Sequence, residues 1–173
     1  AKVTAIGGLA GAGIDNKGYS GTIEIGGGVV TAYGGPGAAG IGTGDYFDGY
    51  NYFDTYTRNI LITGGTITAY GGKLTTDNSK NGGAGIGSGR CMGSGNITIT
   101  SGNIFAYGID GAAGIGAGYR GYKENIIIHS NAAIQAVGDT SAYDIGSGGY
   151  RSYAFNQYYS GLYSGMYVGR MSG

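Results

Sequence analysis

The sequence predicts an all-β protein, a parallel and right-handed β-helix of about five three-sided coils. Two recurring phrases support this prediction. The first is an apolar residue, any residue and an alanine, and it begins at Val3, Val30, Ile67, Ile104 and Ile134. The second is an isoleucine next to a glycine or a short polar residue, at Ile14, Ile41, Ile86, Ile115 and Ile145. Phrases that recur along the chain in this way indicate stacked structural units, because a single unit cannot bury its own apolar face.

The distance between the two phrases is nearly constant along the chain. It is 11 residues in four of the five repeats and 19 in the remaining one. Removing the polar stretch 73–80 restores a distance of 11, which predicts an insertion at a turn. We therefore expect the five isoleucines of the second phrase to lie in one buried row.

A third phrase, Ile-x-Ile, precedes the first phrase in four repeats, at Ile23, Ile60, Ile97 and Ile126. Its alternation is that of an extended strand with one buried face. Glycines close the segments, and glycine allows the backbone dihedrals that sharp corners need. Three short strands per repeat, each followed by a corner, predict one three-sided coil.

The repeats occupy residues 1–149, which we expect to form one solenoid domain. The first repeat lacks the Ile-x-Ile phrase, and the successive repeats are 1–20, 21–58, 59–95, 96–124 and 125–149. After Gly149 the pattern stops. Residues 150–173 form a tail rich in tyrosine and glycine, which we expect to cap the domain or to connect subunits.

Composition argues against several classes of protein. Glycine supplies 42 of the 173 residues, but without the three-residue period of collagen. Ten basic and ten acidic residues leave no net charge and no basic stripe, so we expect no nucleic-acid partner. No apolar run approaches the length of a membrane helix, so we expect no membrane insertion. The chain opens on Ala1 and has one cysteine, Cys91. We expect a secreted or cell-surface protein that has lost a signal peptide.

Several stretches resemble the glycine-rich β-helical repeats of secreted and cell-surface proteins from anaerobic, often gut, bacteria. They are GGTITAYGG at 64–72, GGAGIGSG at 82–89 and GNITITSGNIFAYG at 95–108. The resemblance covers residues 1–149 and leaves the tail outside. Some members of that group are carbohydrate-binding-like β-helix domains. The resemblance implies a stacked architecture, and it assigns no functional residue.

Residues suited to catalysis are scarce, so we expect no enzyme and no cofactor. His129 is the single histidine, and we expect a solvated strand residue there. The repeated Gly-Ile-Gly-x-Gly resembles a phosphate-binding loop, but no helix is predicted after it, and corner geometry explains it better. Asp45, Asp48 and Asp54 recur in an aromatic loop and could offer oxygen ligands to calcium. An ordinary solvated loop is the alternative that we favour.

The outward-facing positions of the first phrase carry aromatic and hydroxyl side chains. Tyr33, Tyr70 and Tyr107 are expected to form a ladder about 5 Å apart, flanked by Thr31 and Thr68. The ladder could merely stabilise the sheet, or it could bind carbohydrate or pack laterally against another chain. Because the row of Thr4, Thr31 and Thr68 ends after three members, we do not expect an ice-binding array.

The two ends of the repeat domain complete the functional prediction. A stack of strands leaves an open edge at each end. The first repeat lacks one strand, and the tail has spare strand-like sequence. We expect Val3 and Ala5 of one subunit to meet residues from the tail of the next, namely Leu162, Tyr163, Met166 and Tyr167. The sequence thus predicts a non-enzymatic extracellular protein that polymerises head to tail into a filament or surface layer. A carbohydrate-binding adhesin is the alternative.

Overall fold

The computed structural model describes residues 1–15, 20–45, 57–75, 81–121 and 125–149, together with the backbone of 167–168. The regular secondary structure in these ranges consists of β-strands, and none of it is helical. Accordingly, the described residues contain no apolar helix of membrane-spanning length. The fold is therefore built by pairing strands.

In the described residues, twelve strands form two parallel sheets. The eight-stranded sheet contains β1 (Lys2–Ile6), β2 (Ser20–Ile25), β3 (Val29–Tyr33), β5 (Thr57–Ile62), β6 (Thr66–Tyr70), β8 (Ile97–Tyr107), β10 (Ile126–Val137) and β12 (Tyr167–Val168). The four-stranded sheet contains β4 (Ile41–Gly42), β7 (Ile86–Gly87), β9 (Ile115–Gly116) and β11 (Ile145–Gly146). Both sheets contribute to one hydrophobic core.

Like residues lie side by side across the large sheet. Its main path runs β1-β3-β6-β8-β10-β12. The alanines of the first phrase are register partners along this path, and we call them the alanine column: Ala5, Ala32, Ala69, Ala106 and Ala136. Four of the five are buried, and the exception is Ala5 in the first strand. The alternation of residues in the first phrase therefore predicted correctly which face of these strands packs against the core.

The small sheet confirms the predicted row of isoleucines. Ile14, Ile41, Ile86, Ile115 and Ile145 are successive parallel partners, and we call them the isoleucine row. The last four are fully buried, and Ile14 packs against the core while partly exposed. The spacing of 11 residues works because each repeat returns the chain to the same place in the small sheet.

The prediction of a β-helix with about five three-sided coils is wrong. The twelve strands of the described ranges are too few for five coils of three strands each, and these ranges form one large sheet and one small sheet instead. The physical reason lies in β8 and β10. Each of these strands carries both the Ile-x-Ile phrase and the first phrase, so the two phrases belong to one sheet rather than to two sides. The second phrase contributes strands of only two residues.

Bends inside the large sheet replace the expected corner. Gly28, Gly65 and Gly102 occupy matching places before the first phrase and have φ of 88°, 98° and 114°. In β10 the same place is Ala132, and there the register shifts between Ile128 and Asn131. A β-bulge of this kind accommodates extra residues without ending the strand. The chain therefore bends between the two phrases while its hydrogen bonding continues.

The predicted insertion and tail are described only in part. Lys73 and Gly82 form an isolated antiparallel bridge, so the chain leaves and returns at neighbouring points, as an insertion requires. Residues 76–80 lie outside the described ranges. Of the predicted tail 150–173, only the backbone of Tyr167–Val168 is described, and it pairs with Gln135 and Ala136 in β10 of the same chain.

Candidate functional site

The first strand exposes apolar side chains at one end of the large sheet. β1 is the terminal strand on the main path, and among the described residues only β3 pairs with it. Val3 is 45% exposed, whereas its partner Val30 is 6% exposed. Ile6 and Leu9 are 76% and 90% exposed. We call the β1 edge with these three side chains the open end.

The backbone of the open end offers hydrogen-bonding groups as well. Ala1 accepts a hydrogen bond from the Val29 amide, and the Gly7 amide donates to the Tyr33 carbonyl. Alternate residues of a strand in a parallel pair bond to the same neighbour. The N–H and C=O groups of Lys2, Thr4 and Ile6 therefore point away from β3. An exposed edge of this kind is a template for pairing with another strand.

The opposite end of the molecule differs, because its core-facing residues are covered. Ile134, Ala136 and Ile145 are the members of the last strands that face the core, and each is at most 2% exposed. The backbone of β12 pairs with β10 at this end. The open end is therefore unlike its counterpart, and the two ends of the sheet are not equivalent.

The residues predicted to join subunits separate into two groups. Val3 and Ala5 lie at the open end, as expected. Tyr167 lies opposite Gln135 of its own chain, which is what a tail that covers its own sheet would do. Leu162, Tyr163 and Met166 lie outside the described residues. Contact between this tail and the next subunit stays a prediction.

The predicted tyrosine ladder is present on the outer face of the large sheet. The ring centroids of Tyr33 and Tyr70 are 5.0 Å apart with an interplanar angle of 7°, and those of Tyr70 and Tyr107 are 5.0 Å apart at 11°. Ile6 and Val137 are the next register partners beyond the ladder. Such aromatic pairs add about 0.5–1.5 kcal/mol beyond their burial. The ladder therefore stabilises the pairing of β3, β6 and β8.

The geometry of the ladder limits how it could bind a sugar. Stacked rings cover one another, so Tyr70 has a ring on each side. Both faces of the Tyr70 ring are therefore covered. Thr31 and Thr68 lie in the neighbouring column, which continues to Phe105. A sugar that stacks on an aromatic face would find no free face at the centre of this surface. Carbohydrate binding by these five residues stays a prediction.

Asp45, the first of the three calcium candidates, is engaged in an ion pair. Its Oδ1 and Oδ2 accept hydrogen bonds from Nε and Nη2 of Arg90 at 3.0 and 3.1 Å. The two side chains are 7% and 9% exposed. Arg90 also donates to Oδ1 of Asn81 at 3.3 Å. A calcium ion at Asp45 would have to displace the guanidinium, which disfavours Asp45 as a ligand.

The remaining evidence on metals is confined to the described ranges. Asp48 and Asp54 lie outside them, so the structure does not place these two candidates. Within them, no three acidic, histidine or cysteine side chains come together in a way that could hold a metal ion. Calcium binding by the Asp45, Asp48 and Asp54 loop stays a prediction.

We expect Arg90→Met to lower the free energy of unfolding by about 3–5 kcal/mol, because it leaves the buried Asp45 carboxylate without its partner. Urea unfolding followed by circular dichroism measures this loss. The double variant Arg90→Met with Asp45→Asn removes the orphaned charge and should recover part of it. Equal stability of the single variant and the wild type would contradict a structural role for the pair.

The lone cysteine and the lone histidine occupy different environments. Cys91 is buried in a turn with φ of 58°, and burial raises the pKa of its thiol, against the opposing effect of the Arg90 and Arg120 charges. A raised pKa leaves less thiolate, which is the nucleophilic form. His129 is exposed on β10.

A row of asparagines was missed in the sequence although its signal was visible. Asn59, Asn96 and Asn125 each stand directly before an Ile-x-Ile phrase. The backbone N–H of Asn96 donates to Oδ1 of Asn59 at 2.9 Å, and the side-chain Nδ2 of Asn125 donates to Oδ1 of Asn96 at 2.7 Å. These bonds link successive strands at their start. The Arg90–Asp45 pair had no such signal, because 45 residues separate its members.

Comparison with protein-family models, with curated proteins and with solved structures found no match for this chain. The resemblance to glycine-rich β-helical repeats therefore stays a prediction, and the candidate site is interpreted from its own geometry.

Proposed function

We propose that this chain is a structural, non-enzymatic protein that associates with other copies of itself through the open end. The observation that carries the proposal is the contrast between equivalent positions: Val3 is 45% exposed at the edge and Val30 is 6% exposed one strand further in. The next members of the same register column, Val30, Ile67, Ile104 and Ile134, are all buried. A strand added to β1 would cover Val3 in the same way.

Two free-energy terms favour such an addition. Burial of an exposed valine, leucine or isoleucine contributes about 1.5–3 kcal/mol when it is complete. Val3, Ile6 and Leu9 are all exposed at the open end, with Val3 on the core-facing side of β1 and Ile6 on its outer side. The outward-facing backbone groups of β1 would also gain partners in a strand that pairs with them. Neither contribution to the free energy is gained while the open end faces water.

The charged side chains of the described residues support a structural role. Asp15 pairs with Arg58 at 3.0 Å, and Asp45 pairs with Arg90 at 3.0 Å. These ion pairs link parts of the chain that are far apart in sequence. The extracellular location and the head-to-tail filament expected from the sequence stay predictions. Carbohydrate adhesion is the less favoured alternative, because the rings of the tyrosine ladder cover one another.

We expect Thr4→Pro to abolish association while preserving the fold. The Thr4 amide points away from β3, so proline removes a donor that only an added strand would use, and proline is tolerated on edge strands for this reason. Sedimentation velocity over a range of concentrations measures the association. The wild type and the matched control Thr4→Val should both show a mass that rises with concentration.

Two results would contradict the proposal. One is a wild-type chain that remains monomeric at every concentration. The other is a Thr4→Pro variant that associates as the wild type does. Thermal unfolding of Thr4→Pro, followed by circular dichroism, verifies that the variant is folded before its mass is interpreted.

A further inference from the structure

We infer that two copies join at their open ends as a two-fold symmetric pair, with β1 of one copy antiparallel to β1 of its partner and centred on Thr4. This inference rests on the proposed function and specifies its geometry. Such an interface is isologous, because the same surface serves both copies. It closes after two copies, unlike a head-to-tail contact.

The difference between the two ends of the molecule supports a symmetric pair. A head-to-tail contact needs two different surfaces that are both open. The core-facing Ile134, Ala136 and Ile145 are already covered at the far end, whereas Val3 at the near end is not. Within the part of the chain that the structure describes, the surface that remains for the open end of one copy is therefore the open end of another.

The backbone of β1 is self-complementary in this arrangement. Hydrogen-bonded residues in an antiparallel pair exchange both N–H and C=O groups. With Thr4 opposite the Thr4 of the second copy, Lys2 lies opposite Ile6 and Ile6 opposite Lys2. These three are the residues whose backbone groups point away from β3. Each of their amides and carbonyls therefore finds a partner in the centred register.

The side chains of β1 are complementary in the same register. Lys2 of one copy lies opposite Ile6 of the other, so the two lysines avoid each other, and like charges directly opposite would be destabilising. Val3 lies opposite Ala5, which sets a larger side chain against a smaller one. Val3 and Ala5 share the core-facing side of Val30 and Ala32, so the pair would join the two cores.

Cysteine cross-linking of the full 173-residue chain tests this register. Hydrogen-bonded antiparallel partners have Cα atoms about 5.5 Å apart, which lies within the range that a disulfide spans. Oxidation of Thr4→Cys alone should therefore give a linked species with the mass of two chains. Lys2→Cys alone should give none, because its own copy lies about four residues away along the partner strand.

A mixed sample sets the register independently. Lys2→Cys and Ile6→Cys, combined in equal amounts, should link to each other although neither links to itself. The wild type is the control for the native thiol, and Cys91 is buried, so it should give no linked dimer. Each variant is compared with the wild type by sedimentation under reducing conditions, which shows that the substitution has not changed the association.

The outcomes separate this inference from the proposed function. Association without a Thr4→Cys dimer, or a mass that grows beyond two chains, would overturn the symmetric pair and leave self-association intact. Equal self-linking of Lys2→Cys, Thr4→Cys and Ile6→Cys would indicate parallel β1 strands and would also overturn it. A wild-type chain that stays monomeric at every concentration would overturn both.

Discussion

Replacing Ile115 by aspartate should abolish cooperative folding. Ile115 lies between Ile86 and Ile145 in the isoleucine row, and its side chain is fully buried. The substitution removes the apolar side chain and leaves a carboxyl group among isoleucines. Loss of a buried isoleucine side chain alone costs about 2–5 kcal/mol, and burial of an unpaired carboxylate adds to that cost. Small domains are stable by about 5–15 kcal/mol, so one substitution can remove most of the margin.

Two control variants separate burial from charge. Ile115→Val keeps the site apolar and should cost about 0.5–1.5 kcal/mol. Ile109→Asp introduces the same charge at a side chain that is 40% exposed, and surface changes of this kind usually stay within about 0.5 kcal/mol. Thermal unfolding by circular dichroism compares the three. A melting temperature of Ile115→Asp equal to that of Ile115→Val would show that the row is not buried.

The sequence predicted the register of the sheets better than their shape. The spacing of 11 residues placed Ile41, Ile86 and Ile115 in one row, because any chain that repeats its length between two phrases returns to the same position. The alternation within a phrase also told which side of Val30 and Ala32 faces the core. Both inferences depend on local pattern, because successive side chains of a strand point to opposite faces of its sheet.

The shape could not be predicted, because it depends on what happens between phrases. The next phrase begins five or six residues after the last isoleucine of Ile-x-Ile, a spacing that suits either a corner or a bend. In β8 the residue at this point, Gly102, takes a φ of 114° and the strand continues. Glycine permits both outcomes. The sequence therefore indicated a change of direction at Gly102 without deciding how large it is.

The candidate site shows the same division. The tyrosine ladder followed from spacing, since Tyr33, Tyr70 and Tyr107 each come directly after an alanine of the alanine column. The orientation of the rings did not follow, because it is set by the side-chain torsions and by contact between neighbouring rings. The Arg90–Asp45 pair was hidden for another reason. Its members meet only after the chain has passed through a complete further repeat.

Gly87→Ala should cost about 3 kcal/mol or more, although it adds one methyl group. Gly87 has a φ of 135°, which side chains of L-residues rarely adopt, and an added Cβ would lie 1.9 Å from the carbonyl oxygen of Gly116. Gly42 and Gly116 occupy matching places with φ of 137° and 132°, so the neighbouring backbones cannot move apart without disturbing the small sheet. Backbone strain from such a φ costs about 1–3 kcal/mol before the cost of the steric clash is added.

The matched control is Gly27→Ala, in the connection between β2 and β3. Apart from Gly27 and its chain neighbours, no heavy atom of the described residues lies within 4 Å of the Cβ that alanine would add there, and the φ of Gly27 is outside the strained range. Alanine at an unstrained site reduces the freedom of the unfolded chain, so this variant should be unchanged or more stable by about 0.4–1 kcal/mol. Urea unfolding measures both variants. Gly87→Ala should unfold at a much lower urea concentration than Gly27→Ala, and equal midpoints would show that the small sheet does not need glycine at that position.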